Sequence, residues 1–241
     1  MPGLGTIINT AAIIVGGIIG LFFGKRIPER MQNALMMGNG ICVIFVGAAG
    51  AISKMLVLNE GGFDTQKSHL LILAIICGIV VGELLNLEKQ IERFGEWLKK
   101  KTKSTKDHGF TEAFLTASCT VCIGAMAIIG SINDAIFHDY SVLIMKAILD
   151  FFIICVMTCT LGKGAIFAAI PVAIWQGFVT LIAHLIQPVL TDLALTDLSL
   201  VGNVLIFCVG LNLIRDKKIS VANMLPAILF AVAFSFIPGL N

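Results

Sequence analysis

The chain of 241 residues is 57% hydrophobic, with a mean hydropathy of +0.96 and only 13% charged residues. A soluble domain carries roughly 25% charged residues, so the composition excludes a soluble globular protein. The formal net charge of +2 gives no basis for a nucleic-acid partner. Repeated apolar runs, each long enough to cross a hydrocarbon core, predict a polytopic protein whose surroundings are a lipid bilayer.

The predicted fold is an all-α bundle of eight transmembrane helices that forms one domain over residues 1–241. Hydrophobic periodicity predicts spans at about 6–24, 34–53, 69–87, 110–131, 141–161, 164–186, 198–214 and 219–237. The connections are too short for a separate soluble domain, which needs roughly 50 residues or more. The sequence has no phosphate-binding loop, HExxH motif or nucleophile elbow, so we expect neither an enzyme nor a bound cofactor.

Positive charges alternate along the chain and predict the orientation. They concentrate in every second loop, at Lys25, Arg26 and Arg30, at 89–106, at Lys163, and at Arg215, Lys217 and Lys218. Cytoplasmic loops of membrane proteins carry such an excess of lysine and arginine. We therefore expect both termini to lie outside the cell.

Between the third and fourth spans, residues 87–101 form an amphipathic segment. Leu87, Ile91, Phe94, Trp97 and Leu98 share one helical face, and lysines and glutamates occupy the rest. This pattern predicts a helix at the cytoplasmic membrane interface. A solvated cytoplasmic segment is the alternative.

Two spans share a short motif that favours an internal repeat. Span 2 contains Gly38-Asn39 followed by Gly47, and span 7 contains Gly202-Asn203 followed by Gly210. The charge topology makes these spans run in opposite directions, so spans 1–3 and 6–8 are candidates for an inverted repeat of the kind found in transporters. Chance similarity between glycine-rich helices is the alternative explanation.

Span 1 carries a stripe of small residues at every fourth position, namely Ala12, Gly16, Gly20 and Gly24. Such a stripe allows two helix backbones to approach closely. Packing inside one chain is the expected use, and a homo-oligomer formed through Gly16, Gly20 and Gly24 is the alternative.

The strongest functional signal is charge inside the spans. Lys146 and Asp150 lie four residues apart on one face of span 5, with Asp150 near mid-membrane. A charge there is unfavourable by about 2.5–3.5 kcal/mol on insertion scales and usually marks an ion or substrate path. Asp150 is the predicted principal ligand, Lys146 tunes it, and Thr158 extends the same face. A purely structural ion pair is the alternative.

Further polar residues are candidates to flank that site. Asp134 follows span 4 near its outer end and is predicted to be an entrance ligand or a second partner for Lys146, with a solvated loop acid as the alternative. Neutral amides in apolar surroundings can bind a dehydrated ion or join helices by hydrogen bonds. These amides are Asn9, Asn39, Gln176 and Asn203.

Seven cysteines all lie within the predicted spans. Cys119 and Cys122, with Cys155 and Cys159, would suit a soft metal such as Cu(I). Cysteine also packs as a small hydrophobic residue, and Cys159 lies on the opposite face of span 5 from Asp150. We therefore expect packing cysteines and no metal site.

Several of these residues belong to motifs that occur in one order along the chain. They are Gly5-Thr6-Ile7-Ile8-Asn9, Gly82-Glu83, Gly124-x-Met126, Gly130-Ser131-x-x-Asp134, Lys146-x-x-x-Asp150, Gln176-Gly177-x-x-Thr180, Gly210-Leu211-Asn212-Leu213 and Val221-Ala222-Asn223-x-Leu225-Pro226-Ala227. With them the chain resembles, essentially end to end, the uncharacterised bacterial inner-membrane family that includes YdfK and YqgA. The resemblance implies a location in the bacterial plasma membrane and supplies no substrate.

The sequence as a whole favours a secondary transporter of a small ion or solute, with its polar site in spans 4–6. An ion channel is the nearest alternative. A membrane scaffold or sensor that acts through helix 87–101 is an alternative from another class.

Overall fold

The computed structural model describes residues 2–24, 26, 28–59, 62–101, 109–122, 125–186, 191–215 and 219–237. Within these ranges the chain is almost entirely helical, so the predicted all-α polytopic bundle is confirmed. The helices are α1 (Leu4–Gly24), α2 (Glu29–Met55), α3 (Ser68–Leu85), α4 (Leu87–Lys101), α5 (Phe110–Cys122), α6 (Ala125–Phe137), α7 (Ser141–Leu161), α8 (Ala169–Ile186), α9 (Asp192–Ile214), α10 (Val221–Met224) and α11 (Pro226–Phe234). A 3₁₀ segment, Lys163–Ala168, precedes α8.

The number of spans is less regular than the predicted eight. Among the described residues, six helices are long and apolar enough to cross a membrane, and the bent pair α5–α6 makes a seventh candidate. The last predicted span forms only the short helices α10 and α11. Pro226 is the first residue of α11, where its missing backbone donor is tolerated, and α10 and α11 together form an apolar stretch over Val221–Phe234.

The predicted span at 110–131 corresponds to two helices, α5 and α6. The chain bends by 59° between α5 and α6, and α6 continues to Phe137. Asp134 therefore lies inside a helix rather than in a loop. A break at membrane depth frees backbone groups, which must find partners within the bundle or line a cavity.

The glycine stripe of α1 packs against α7. A Cβ atom built on Gly16 would lie 2.5 Å from the Phe151 carbonyl oxygen of α7, and one built on Gly20 would overlap the Cys155 carbonyl oxygen, so only glycine allows this approach. The two helices run parallel, because Gly16 meets Phe151 and Gly24 meets Cys159. The stripe is used inside the chain, and a homo-oligomer through it would have to displace α7.

The motif-bearing helices α2 and α9 pack on each other in antiparallel fashion. Gly47 of α2 lies against the Asn203 carbonyl, and Gly210 of α9 lies against the Gly40 carbonyl and Ile44. The contacts are reciprocal, since each later glycine meets the start of the partner's motif. This pairing agrees with opposite directions for spans 2 and 7.

A short hairpin marks one end of the bundle. Strands β1 (Leu56–Asn59) and β2 (Gly62–Thr65) pair in antiparallel fashion, in a segment that was predicted only as the loop between spans 2 and 3. We call this the hairpin end; the opposite end, which carries α4, is the α4 end. The helix α2 ends at the hairpin, and α1 crosses the bundle in the opposite direction just before it. The helix α1 therefore begins at the hairpin end.

At the α4 end, the amphipathic helix is docked on the bundle. Gly95 and Leu98 are buried, with Gly95 against Phe114 of α5. The Trp97 ring remains half exposed and stacks on Phe94 at a centroid distance of 5.7 Å. The predicted apolar face is thus divided between a contact with the bundle and an exposed aromatic surface.

Candidate functional site

The site centres on an ion pair within α7. Lys146 Nζ lies 3.0 Å from Asp150 Oδ1 and 2.8 Å from Oδ2. Both residues are buried, at 7% and 3% exposure. Asp150 is the tenth of the 21 residues in α7, so it lies about 14 Å from the start of the helix, close to its middle.

The ammonium group has a further partner on α5. Lys146 Nζ donates to the Val121 carbonyl oxygen at 2.8 Å, and Val121 is the last residue but one in α5. Carbonyl groups at a helix end lack intrahelical partners and carry the negative end of the helix dipole. The break between α5 and α6 thus creates an acceptor for Lys146 at the level of the ion pair.

Asp150 has a neutral neighbour on α1. The Asn9 amide lies beside its carboxylate, since the glycine stripe holds α1 directly against α7. Neither polar atom of Asn9 makes a regular hydrogen bond within the described part of the chain, although the residue is fully buried. This position, beside a buried carboxylate and on a neighbouring helix, favours a role for the Asn9 amide at the charge pair.

The ion pair borders a cavity of about 460 Å³ that lies between α2, the α5–α6 break, α7 and α9. Its polar lining comes from five residues: Thr120, Lys146, Asp150, Ser199 and Asn203. Most of the remaining lining is aliphatic, including Val43, Ile153 and Ile206. One side of the pair therefore faces a cavity rather than packed side chains.

Asn203 brings α9 to this cavity. Its Nδ2 atom donates to the Ser199 carbonyl at 2.7 Å, and its amide packs on the bare backbone of Gly50 in α2. Of the predicted ligands, Lys146, Asp150 and Asn203 line the cavity, and Asn9 lies next to Asp150. The arrangement offers carboxylate, amide and hydroxyl groups around one charged pair.

Asp134 does not line this cavity. It is fully buried in α6, and its Oδ2 atom accepts a hydrogen bond from the Gly5 backbone N–H at 2.9 Å. A carboxylate at the first turn of α1 satisfies a free amide and complements the helix dipole. Among the described residues Asp134 has no ion pair with Lys146. The alternative prediction, a solvated acid in a loop, is wrong because Asp134 is buried inside α6.

The other predicted ligands lie outside the cavity lining. Thr158 is buried against Gly20, two turns along α7 from Asp150. Gln176 of α8 is 1% exposed, and both its amide atoms lack a hydrogen-bond partner in the described ranges. Asn39 lies in α2, but its side chain is outside the described part of the structure.

Asp197 is an acid that was not predicted as a site residue, and it is completely buried in the structure. The residue was expected in a loop before span 7 but lies inside α9, which begins at Asp192. Its Oδ1 atom lies 2.5 Å from Lys67 Nζ at the start of α3. Lys67 lies outside the cation-rich loops that predict the cytoplasmic side, and its isolated charge was the one signal available.

A second polar region lies at the α4 end. A cavity of about 530 Å³ there is lined by Glu88, Glu92 and Glu96 of α4 and by Glu112 of α5. Partial burial raises the pKa of Glu88. In the part of the chain that the structure covers, no group of three His, Cys, Asp or Glu side chains is arranged to hold a metal ion.

Asn223 joins α10 to this region. Its Oδ1 atom accepts from the Glu88 backbone N–H at 2.7 Å, and its Nδ2 atom donates to Glu83 Oε1 at 2.9 Å. Gly82 allows the Asn223 backbone to pass close to α3. Two motifs that are 140 residues apart in the chain thus meet at one joint between α3, α4 and α10.

Comparison with known proteins gives a family without a known function. A family model described as "Protein of unknown function (DUF554)" matches residues 4–236. The chain is 31% identical over 233 residues to the uncharacterized membrane protein YdfK of Bacillus subtilis, covering 97% of this chain and 96% of YdfK. It is 28% identical over 236 residues to the uncharacterized protein YqgA of Escherichia coli, covering 96% of each. No solved structure matches the chain.

Proposed function

This chain belongs to the DUF554 family of proteins of unknown function, and we propose that it is a secondary transporter of a small ion or solute. The observation that carries the proposal is the cavity of about 460 Å³ beside the Lys146–Asp150 pair. An ion pair that only joins helices gains nothing from such a space, because its stability depends on good geometry and satisfied hydrogen bonds. A charged pair beside a cavity near mid-helix is typical of a translocation path.

The broken helix supports the same proposal. In many transporters, half-helices end at the binding site and present their backbone carbonyls or amides to it. Here Lys146 bonds the terminal turn of α5 through the Val121 carbonyl. Lys146 can therefore keep one partner when its contact with Asp150 opens, which lowers the cost of exchanging that contact for a substrate.

The proposed ligands differ in their roles. Asp150 is the charged ligand, Lys146 its internal counter-ion, and Asn203 and Asn9 supply neutral groups from α9 and α1. Asp134 holds the start of α1 and acts on the site by fixing the register of Asn9. Gln176, Thr158 and Asn39 are retained as candidates for the path on either side of the cavity.

We place the protein in the bacterial plasma membrane with both termini outside. The alternating lysine and arginine loops support this orientation, which puts the hairpin end outside and the α4 end in the cytoplasm. The reciprocal packing of α2 on α9 supports an inverted repeat of spans 1–3 and 6–8, with the two motif-bearing helices next to its axis.

The proposal is tested with purified protein in liposomes. A panel of radiolabelled monovalent and divalent ions, and of small organic solutes, is offered to wild-type and Asp150→Asn vesicles. We expect saturable flux of at least one compound that is lost in Asp150→Asn. Unitary conductance steps in planar bilayers would instead support a channel, and absence of any flux together with a silent Asp150→Asn phenotype in cells would overturn the proposal.

One observation favours the scaffold or sensor as a second candidate. The half-exposed Trp97 ring, with Lys101 Nζ 4.9 Å from its centre, gives α4 a surface suited to a membrane or a partner. Deleting that surface by Trp97→Ala and Phe94→Ala separates the candidates. A scaffold loses its cellular effect with these changes, whereas a transporter keeps its Asp150-dependent flux in vesicles.

A further inference from the structure

The cavity beside Asp150 reaches the surface of the bundle in the middle of its helices. Three lining residues at its mouth are exposed: Cys42 and Val46 of α2 and Leu149 of α7. Val46 is 63% exposed and Leu149 is 50% exposed. Leu149 is the ninth of the 21 residues in α7, about 12 Å from the helix start, so the mouth opens at hydrocarbon depth.

A mouth at this depth selects what can enter through it. A hydrated inorganic ion reaches a site from the aqueous ends, because crossing the acyl chains would strip its water. A molecule that partitions into the bilayer can enter from the side. The apolar lining, including Val43, Ile153 and Ile206, suits the second kind of molecule.

The size of the cavity also favours an organic molecule over an inorganic ion. At roughly 30 Å³ per water, 460 Å³ corresponds to about 15 water molecules, more space than a single small ion needs. The volume falls in the range of about 300–1,000 Å³ that holds drug-sized molecules. An organic molecule with several apolar groups would fill it and cover its lining.

The partners of Lys146 and Asp150 indicate the charge of that molecule. Lys146 has two partners, Asp150 and the Val121 carbonyl, and it keeps the second when the first is lost. Asp150 has one charged partner, and its Oδ2 atom has no hydrogen bond of regular geometry in the described part of the chain. A guest cation can therefore approach the Oδ2 atom of Asp150 while Lys146 keeps its bonds to Oδ1 and to the Val121 carbonyl.

We propose that the cavity binds a lipophilic organic cation that enters from the bilayer between α2 and α7, with its charge against Asp150. The proposal rests on the transporter function above and names its substrate class. In the bound state Lys146 remains on the Val121 carbonyl, and the apolar groups of the guest contact the aliphatic lining. The lateral mouth makes the concentration of the guest in the membrane, rather than in water, the quantity that fills the site.

The test uses tetraphenylphosphonium as the probe, with full-length protein in lipid nanodiscs. Radiolabelled probe should bind the wild type saturably, and Asp150→Asn should weaken binding by roughly tenfold or more, about 1.4 kcal/mol. Val46→Trp, which places a large ring at the mouth, should weaken or slow binding. Val80→Trp is the matched control, because Val80 is 52% exposed on α3, away from the cavity.

The outcomes separate this proposal from the transporter itself. Equal binding by wild type and Asp150→Asn, or equal loss in Val46→Trp and Val80→Trp, overturns the assignment of the cavity. Flux of an inorganic ion with no binding of tetraphenylphosphonium overturns it as well and leaves the transporter intact. Asp150-dependent binding of the probe without any flux in vesicles keeps the cavity assignment and overturns the transporter.

Discussion

The Lys146–Asp150 pair should be dispensable for folding but not for function, and replacing its members singly and together tests this. The variants are Lys146→Met, Asp150→Leu and the double change. Lys146→Met leaves a carboxylate that is 3% exposed without its charged partner. Breaking a buried pair in this way costs about 3–5 kcal/mol.

The two single variants should not be equal. Asp150→Leu leaves Lys146 on the Val121 carbonyl at the negative end of α5, so its cost should be nearer the 1.5–3 kcal/mol of one charged hydrogen bond, in rough terms. The double variant removes both charges and replaces them with apolar groups of similar size. Such replacements are often neutral or stabilising, so it should be at least as stable as the better single variant.

Thermal unfolding in detergent measures these differences. For a chain of this size, 1 kcal/mol shifts Tm by about 2–4 °C, so Lys146→Met should lower Tm by roughly 6–20 °C, and the double variant should recover most of that loss. The recovered protein should remain inactive in vesicles. If the double variant is as unstable as Lys146→Met, the charges are needed to fold and the reasoning fails; if Asp150→Leu is the more damaging single change, the role given to Val121 is wrong.

Three further predictions test the packing around the site. Gly20→Ala should destabilise the protein by about 1–3 kcal/mol, because its Cβ would overlap the Cys155 carbonyl oxygen of α7. Gly38→Ala, whose Cβ meets nothing within 4 Å, should be neutral or slightly stabilising in the same unfolding assay. Asn223→Ala removes both hydrogen bonds that join α10 to α3 and α4, which should cost about 1–3 kcal/mol and speed hydrogen exchange across 87–101; unchanged exchange there would contradict the joint. Burial raises the pKa of Glu88 above its usual 4.5, so the folded state holds this proton more tightly than the unfolded state. Stability from Glu88 should thus be full below pH 4.5 and be lost as pH rises through the raised pKa. Glu88→Gln should flatten that part of the pH profile of Tm, and an unchanged profile would refute the assignment.

The ion pair could be read from sequence because its geometry is local. Lys146 and Asp150 are four residues apart in a helix with no breaker, so their shared face follows from helix geometry alone. The helix hydropathy likewise fixes their depth, since α7 was expected at 141–161 and lies there. The glycine stripe of α1 predicted close packing for the same reason, but not that its partner would be α7.

The position of Asp134 could not be read in the same way. Hydropathy falls at Ser131-Ile132-Asn133-Asp134, which predicts the end of a span, but α6 continues because α1 supplies a partner for the carboxylate at Gly5. That contact joins residues 129 apart in the chain. Long-range hydrogen bonds of this kind remove the cost of burying a charge, and a single sequence does not display them.

The burial of Asp197 could not be predicted for the same physical reason, because its partner Lys67 is distant in the chain. The hairpin at 56–65 was missed because Leu56-Val57-Leu58 reads equally well as the end of an apolar helix. The cavity itself depends on the bend between α5 and α6, which no proline or charge in the described residues announces. Tertiary packing, and not local preference, decides these three features.

The central claim is that the Asp150 cavity belongs to a transport path, and its solvent access tests this most directly. Asn203→Cys, in a background with the seven native cysteines replaced, places one thiol on the cavity wall. Membrane-impermeant methanethiosulfonate reagents are applied from each side of oriented vesicles, with Val80→Cys as the lipid-facing control. We expect labelling of Asn203→Cys from at least one side and none of Val80→Cys. A thiol at Asn203 that reacts from neither side would contradict the claim and identify the Lys146–Asp150 pair as a structural contact.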